Sequence, residues 1–318
     1  MVADSLSPVT TDAPAPDFSA AKARQPCPCG SGRRFKACHG AALRRSTVAA
    51  RPFAGLPSEP DWVALHEVVP SATARLSVTG RGAPIGAAER DVLLVTLLPM
   101  AWPALVRSTG EILLSLQTPG RSGDPSRDLA QALLAALAAE PGQGVSDLPA
   151  PEQDAPRLQD MLGSGDLDVS VYRGFDWWLG EESASGEAAA QLEQANAGVV
   201  PTARLHSVAG AYWCLMPPRA HLRWALPEDE DALLDALARL SAAGDLTLGQ
   251  HTRYAGAFRA DGLLVPVWDL PPEWTAEQCE EPAARIRARL DDALTDSSSL
   301  TPEQRRSRAG VVSRSVTL

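Results

Sequence analysis

The chain has 318 residues, of which 45% are hydrophobic and 21% are charged, and its formal net charge is −10. These proportions are typical of a soluble globular protein and exclude a largely disordered chain. The most apolar stretch, residues 92–106, is interrupted by Pro99 and Pro103, so no membrane span is predicted. An odd number of cysteines and an N-terminus without an apolar export signal predict a cytoplasmic protein rather than a disulfide framework.

The charge is divided unevenly along the chain. Residues 18–58 contain eight lysines and arginines and no acidic residue, whereas residues 59–318 carry a net charge of −15. A basic segment ahead of an acidic body favours docking of that segment on a polyanion such as RNA or on an acidic protein surface. The alternatives are that this segment binds the chain's own body, or that the charge only keeps the protein soluble.

The N-terminal part divides into an arm, a cysteine cluster and a linker. Residues 1–24 are rich in Ala, Pro, Ser, Asp and Thr and predict a disordered arm. Residues 25–41 hold Cys27, Cys29, Cys38 and His39 within a short span, and residues 42–59 are predicted to link this cluster to the body. Three thiolates and an imidazole form a complete ligand set for tetrahedral zinc. Because so small a segment has almost no core, the metal would supply its folding energy.

The residues between the ligands support a metal site. Gly30 and Gly32 flank Ser31 in a predicted turn whose backbone N–H groups can point at the thiolates. Phe35 is the large apolar residue of the loop and is expected to pack over the metal. Three incidentally buried cysteines are excluded, since no apolar periodicity surrounds them.

The same residues resemble a known motif. The stretch PCPCGSGRRFKACHG, residues 26–40, matches the pattern C-x-C-G-S-G-x-x-[FY]-K-x-C-H-G of the SEC-C motif, the zinc-binding tail of the SecA preprotein translocase ATPase. This resemblance implies Zn²⁺ held by the three cysteines and His39. In SecA the tail contacts the SecB chaperone and the ribosome, so the resemblance implies a similar docking role here for Arg33, Arg34 and Lys36.

The body, residues 60–318, is predicted to be α+β because strand-like and helix-like segments alternate. Strands are predicted at 74–78, 91–99, 110–118, 167–179, 203–216 and 221–227, and a hairpin over 253–270 turns at residues 260–262. Helices are predicted at 124–142, 157–163, 186–198 and 227–244, and two more close the chain, the second opening at Thr301 with Gln304 as a capping box.

Two features bear on the organisation of the body. A loop at 141–156 is the best candidate for an internal boundary. The stretch TARLSVTG at 73–80 recurs as TARLHSVAG at 202–210, which fits either a doubled ββα unit or coincidence. The segments AWPALVR, SGDPSRDL, HLRWALP and LLVPVWDL make the body similar to an uncharacterised actinobacterial family of SEC-C-bearing proteins, a domain of unknown function.

Residues that carry chemistry are sparse in the body. The sequence contains no G-x-x-x-x-G-K-[ST] phosphate loop, so the resemblance does not extend to the SecA motor, and it contains no nucleophile elbow or dinucleotide fingerprint. Cys214, in an apolar segment, is predicted to be buried and inert, and Cys279 has no neighbour that would activate a thiol. Four histidines are isolated in sequence and are predicted to be half-buried or surface residues: His66, His206, His221 and His251.

The eight tryptophans leave two interpretations open. They can form a Trp-rich core, or an aromatic groove for an extended peptide or a nucleic-acid base. The tryptophans concerned are Trp177, Trp178, Trp213, Trp224 and Trp268, and the arginines that would line the groove are Arg204, Arg223, Arg253 and Arg259. The acidic charge of the body argues against nucleic acid in such a groove. Asp176 and Asp269, each next to a tryptophan, could cap turns or act as acids.

The sequence therefore predicts a zinc-binding adaptor. Its basic head would dock on a ribosomal, chaperone or other protein or RNA surface, and its body would supply a second recognition surface. Nucleic acid is expected only at the basic head. The alternative is an enzyme of unknown class in the body, with the head as a targeting handle, since catalytic residues distant in sequence would leave no motif.

Overall fold

The computed structural model describes residues 22, 24–29, 31–38, 48–179 and 186–313. The chain separates into two units, residues 1–49 and residues 50–318, and we call them the head and the body. In the described part of the head, Pro26 and Arg34 form an antiparallel β-bridge, and a single 3₁₀ turn covers Phe35–Ala37.

The body contains two β-sheets. The first has the strand order β5-β3-β4-β2-β1-β6. Its strands are β1 (Ala72–Leu76), β2 (Val92–Val95), β3 (Ala104–Val106), β4 (Ile112–Ser115), β5 (Gly144–Val145) and β6 (Val169–Val171). Strands β2 and β4 run parallel, and the other neighbours in this sheet run antiparallel. Residues 141–156, the predicted internal boundary, thus contribute strand β5 to the first sheet.

The second sheet is antiparallel throughout and has the order β10-β11-β9-β8-β7. Its strands are β7 (Thr202–Arg204), β8 (Ala211–Met216), β9 (Arg219–Trp224), β10 (Arg253–Ala260) and β11 (Leu263–Leu270). In each half of the possible repeat, the first two strands in sequence pair antiparallel: β1 with β2, and β7 with β8. The sheets differ after that point, because only the first contains a parallel pair.

The described residues include seven α-helices, which confirms the mixed α/β class. They are α1 (Glu59–Glu67), α2 (Pro125–Ala138), α3 (Leu158–Met161), α4 (Gly186–Ala197), α5 (Glu230–Ala243), α6 (Ala276–Thr295) and α7 (Pro302–Ser313). Within the part of the chain that the structure describes, none of these helices is both long and apolar enough to span a bilayer.

The second sheet lies between two hydrophobic clusters. Its residues Val265 and Val267 join a core made with the first sheet and with helices α1 and α2. On its other face, Leu222, Trp224 and Trp268 pack with residues of α5, α6 and α7. This division follows from the two-residue period of a strand, which sends alternate side chains to opposite faces.

Side chains cap the backbone at the start of two helices and are engaged elsewhere at a third. The Asp229 carboxylate accepts backbone N–H bonds at the start of α5. At the start of α7, the Thr301 N–H donates to the Gln304 side chain (2.8 Å) and the Gln304 N–H donates to the Thr301 hydroxyl (3.2 Å), so the capping box is confirmed. Asp124 occupies the N-cap position of α2 but makes no capping bond, because its carboxylate pairs with Arg157 at 2.9 Å.

Several segments differ from the sequence-based expectation. The core already includes Phe53 and Leu56, which the sequence assigned to the linker. Helix α1 and strand β3 were not predicted. Residues 167–179 do not form one strand: β6 ends at Val171, and Asp176–Trp178 form a 3₁₀ turn. The Asn196 side chain accepts the Phe175 N–H at 2.7 Å and holds the backbone out of the sheet.

Candidate metal centre

A short backbone hairpin brings the cysteines of the head together. The Cys27 N–H donates to the Arg33 carbonyl at 2.8 Å, and the Phe35 N–H donates to the Gln25 carbonyl at 2.7 Å. Gly32, inside this loop, has φ +68°, a left-handed conformation that glycine adopts without steric cost. The turn predicted around Ser31 is therefore present, and it folds the first two cysteines back toward the segment that follows.

The 3₁₀ turn Phe35–Ala37 positions the third cysteine. The Cys38 N–H donates to the Phe35 carbonyl at 3.0 Å, which closes the turn. Phe35 itself is half-buried. Arg33, Arg34 and Lys36 are exposed on the same segment, so the predicted docking cations lie on the surface beside the cysteines.

The sulfur atoms of Cys27, Cys29 and Cys38 all lie within 4.8 Å of one another. The Sγ atoms of Cys29 and Cys38 are 3.7 Å apart, and all three side chains are thiols rather than disulfides. A zinc–sulfur bond of about 2.3 Å in a tetrahedron gives sulfur–sulfur edges of about 3.8 Å, whereas a disulfide requires about 2.05 Å. The spacing therefore fits a tetrahedral metal site.

The hydrogen bonds around the sulfurs favour the thiolate, which is the form of cysteine that binds metals. The Ser31 hydroxyl lies 3.2 Å from the Cys38 sulfur. Hydrogen bonds from the Ser31 side chain and backbone, and then from Cys27, lower the pKa of the Cys29 thiol to about 6, although burial acts in the opposite direction. A thiol with this pKa is largely ionised at neutral pH, and the thiolate is the metal ligand.

The chemistry of the donors limits which ions the site can hold. Three sulfurs suit borderline or soft ions that accept tetrahedral coordination, and they do not suit Mg²⁺ or Ca²⁺, which require oxygen ligands. His39, the predicted fourth ligand, lies outside the described residues, as do Gly30 and Gly40. The structure thus assembles three of the four predicted ligands.

Comparison with known families assigns both units. The SEC-C motif is matched over residues 24–41. A family of unknown function, DUF5926, is matched over residues 52–318. The chain belongs to this DUF5926 family. It matches no curated protein and no solved structure.

A second group of potential metal ligands lies in the DUF5926 body. His66 Nδ1 is 2.7 Å from Asp261 Oδ2 and 3.3 Å from Glu67 Oε1. Burial lowers the pKa of His66, but the hydrogen bond and charge of Asp261, together with Glu67, outweigh burial, so the net pKa is raised. This pair ties the end of α1 to the turn between β10 and β11. The sequence could not predict it, because the two residues are 195 positions apart.

The tryptophans of the second sheet belong mainly to the core of the DUF5926 body. Trp224 and Trp268 are fully buried, while Trp213 is partly buried against the same cluster. On the first sheet, Trp177 and Trp178 pack with Phe175, whose ring is stacked on Trp178 at 4.6 Å between centroids.

Three of the four arginines expected to line an aromatic groove are paired with acidic side chains. Arg204 binds Asp61, Arg253 binds Asp269, and Arg259 binds Glu230. Asp269 is buried and Asp176 is exposed at the start of a 3₁₀ turn.

Helix α1 contributes a buried polar network that sequence reasoning missed. The Asp61 side chain is 1% exposed and accepts two bonds from Arg204, at 3.1 and 2.9 Å. The Tyr212 hydroxyl donates to Asp61 at 2.6 Å. Burial, and then Asp61, raise the pKa of Tyr212 well above its usual value. The network joins α1 to strands β7 and β8 and is structural.

The remaining cysteines are inert in this setting, as predicted for Cys214. Burial raises the pKa of Cys214. Burial, followed by the charges of Glu280 and Glu277, raises the pKa of Cys279 to about 12. Both thiols therefore stay protonated at neutral pH and behave as small apolar side chains.

Proposed function

We propose that this protein is a zinc-binding adaptor whose basic head docks on a ribosomal, chaperone or similar surface. The observation that carries the proposal is the convergence of three cysteine sulfurs beside Arg33, Arg34 and Lys36, which are all exposed. The body would supply a second recognition surface. This combination makes the metal a structural element and places exposed cationic side chains beside it, where a partner could contact them.

Zinc is the metal we assign to the head, with Cys27, Cys29, Cys38 and His39 as its ligands. A ligand set of three thiolates and one imidazole is closed and leaves no open coordination position, as in structural rather than catalytic zinc sites. Bound zinc would hold the hairpin and the 3₁₀ turn together, because the described head residues include only one buried side chain, Cys27. The role of the metal is therefore to fix the docking surface.

The charge of the head supports docking on an anionic surface. Zinc with three thiolates carries a net charge of about −1, so the surrounding cations remain in excess. Arg33 and Arg34 offer planar guanidinium groups that bind phosphate or carboxylate with two hydrogen bonds. The resemblance of the head to the SecA tail makes the ribosome and a SecB-like chaperone the first partners to test.

Co-sedimentation with ribosomes, and pull-down with a SecB-type chaperone, test this proposal. We expect the wild-type protein to bind in a salt-dependent manner and the variant Arg33→Ala/Arg34→Ala to lose most of that binding. The matched control is Arg285→Ala/Arg289→Ala, which removes two partly exposed arginines from α6 of the body. Binding that is insensitive both to salt and to the head substitutions would refute docking through the head.

An enzymatic body is the second candidate function, and one observation favours it. His66, held at Nδ1 by Asp261, lines a cleft of about 160 Å³ together with Thr118 and Asp128. A histidine oriented by a carboxylate at a cleft is an arrangement suited to acid–base catalysis. A panel of generic ester and phosphoester substrates tests this candidate: hydrolysis lost in His66→Gln would support it, and hydrolysis equal in both proteins would refute it.

A further inference from the structure

The face of the second sheet that points away from α5, α6 and α7 is polar along part of strand β9. Ala220, Leu222 and Trp224 are buried in the helical cluster. Between them, Arg219 is exposed and His221 and Arg223 are half-buried. Because strand side chains alternate, Arg219, His221 and Arg223 share the opposite face. This face carries charged groups where a purely structural sheet would bury apolar ones.

Strand pairing brings two more charged residues to the same face. Asp269 on β11 pairs directly with His221 on β9, and Arg253 on β10 pairs directly with Asp269. Directly paired residues of neighbouring strands project to the same side of a sheet. We call this set the arginine face: Arg219, His221, Arg223, Arg253 and Asp269.

The arginine face has more positively charged side chains than carboxylates to neutralise them. Its single carboxylate, Asp269, is shared by Arg253 Nη2 at 2.6 Å and His221 Nδ1 at 3.2 Å. Arg223 donates instead to the Met216 sulfur at 2.9 Å, and a thioether is a weak acceptor. Within the part of the chain that the structure describes, Arg219 and Arg223 form no ion pair, which distinguishes them from most arginines of the body.

The local field at His221 agrees with this surplus of positive charge. Burial lowers the pKa of His221, and Arg223 and Arg219 lower it further, against the opposing effect of Asp269. The two arginines therefore create a positive potential at His221. They do so although residues 59–318 as a whole carry a net charge of −15. A local site of positive potential on an acidic body would attract a short anionic segment of a partner.

The spacing of side chains along β9 matches that of an extended peptide. Residues at every second position of a strand are about 6.8 Å apart. Arg219, His221 and Arg223 follow this spacing along β9. Alternate side chains of an extended peptide have the same spacing, so acidic residues four positions apart in such a peptide would meet Arg219 and Arg223.

We infer that the arginine face binds an extended acidic peptide of a partner protein, with its carboxylates on Arg219 and Arg223. This inference rests on the proposed adaptor function, for which it supplies the second recognition surface. Single-stranded nucleic acid is the weaker candidate, because binding it needs exposed aromatic rings on which bases stack. The aromatic residues on this face of the sheet, Tyr212 and Phe258, are buried.

Fluorescence anisotropy on the full-length, zinc-loaded protein tests the inference. The probe is a labelled peptide of alternating glutamate and serine, at low ionic strength. We expect Arg219→Ala/Arg223→Ala to weaken its binding about tenfold, the effect of losing two exposed charge pairs. The matched control Arg285→Ala/Arg289→Ala should bind as wild type does. Circular dichroism of both variants establishes that each remains folded.

Three results would overturn the inference: unchanged peptide binding by the Arg219/Arg223 variant, an equal loss in the Arg285/Arg289 control, or tighter binding of an oligouridine RNA than of the peptide. The head variant separates this inference from the adaptor proposal. Peptide binding lost only in Arg33→Ala/Arg34→Ala would overturn the arginine face and leave head docking intact. Peptide binding that depends on Arg219 and Arg223, in a protein that binds neither ribosomes nor chaperone, would support the face and refute the docking partners proposed for the head.

Discussion

Replacement of Arg204 by methionine should be among the most destabilising single changes in the body. Arg204 makes two hydrogen bonds to Asp61, whose side chain is 1% exposed. Methionine preserves most of the length of the side chain but leaves the Asp61 carboxylate buried without its counter-charge. Breaking a buried ion pair on one side costs roughly 3–5 kcal/mol, a large share of the 5–15 kcal/mol by which a typical domain is stable.

The same network predicts how this loss can be recovered. The double variant Asp61→Leu/Arg204→Met removes both charges but leaves the Tyr212 hydroxyl without its acceptor, at a cost of about 1–3 kcal/mol. Adding Tyr212→Phe should remove most of that remaining cost. Equilibrium denaturation in urea, followed by tryptophan fluorescence, measures all three variants. If the double variant were as unstable as the single one, the arginine would act by packing rather than by charge, and the reasoning would fail.

Three further predictions concern other parts of the body. The folded-state pKa of His66 is raised, so its pair with Asp261 adds stability that is fully present below the unfolded pKa and is lost as the pH rises through the folded pKa. The free energy of unfolding of wild type should therefore exceed that of His66→Gln by more at about pH 6 than at about pH 8.5, and a pH-independent difference in urea denaturation would contradict this. Gly262 has φ +82°, and a Cβ there would overlap the Ala50 carbonyl, so Gly262→Ala should cost roughly 1–3 kcal/mol; a melting temperature equal to that of wild type would exclude the strain. The Cys279 thiol, with a pKa of about 12, should resist iodoacetamide in the native protein and react after unfolding, as peptide mass spectrometry can show, and rapid labelling of the native protein would be inconsistent with its burial.

The parts of the fold that could be predicted are those whose signals are local. Helix α5 has an acidic start, an apolar stripe and Gly244 at its end, all within one stretch of sequence. The hairpin β10–β11 has an Asp-Gly turn between two apolar segments. The cysteine spacing of the head is local in the same way, so the three cysteines that the structure brings together could be picked out from the sequence alone.

The parts that could not be predicted depend on partners distant in sequence. Helix α1 buries Glu59 and Asp61 as well as Trp62, so it shows no amphipathic stripe. Glu59 forms an ion pair with Arg51, and Asp61 forms one with Arg204. Arg204 lies in strand β7 of the second sheet, far from α1 in sequence. Strand β3 is three residues long and follows a proline, which leaves too little pattern to recognise.

The arginine face could not be predicted either, because its residues come from three strands and β9 is distant in sequence from the other two. The sequence grouped Arg223 and Arg253 with tryptophans as a groove. Only the register of β9, β10 and β11 shows that these arginines lie with Arg219 and Asp269 on the side of the sheet opposite Trp224. A one-residue shift in register would have reversed that arrangement.

The measurement that tests the zinc head most directly is the metal content of the purified full-length chain, determined by inductively coupled plasma mass spectrometry. One zinc per chain should remain after dialysis of the wild-type protein, because the three cysteine sulfurs of the head already have the spacing of a tetrahedral site. Cys29→Ser should lose that zinc, while Cys214→Ser, in the body, should keep it. A wild-type chain that holds no zinc, or a Cys29→Ser variant that holds as much as wild type, would contradict a zinc-folded head.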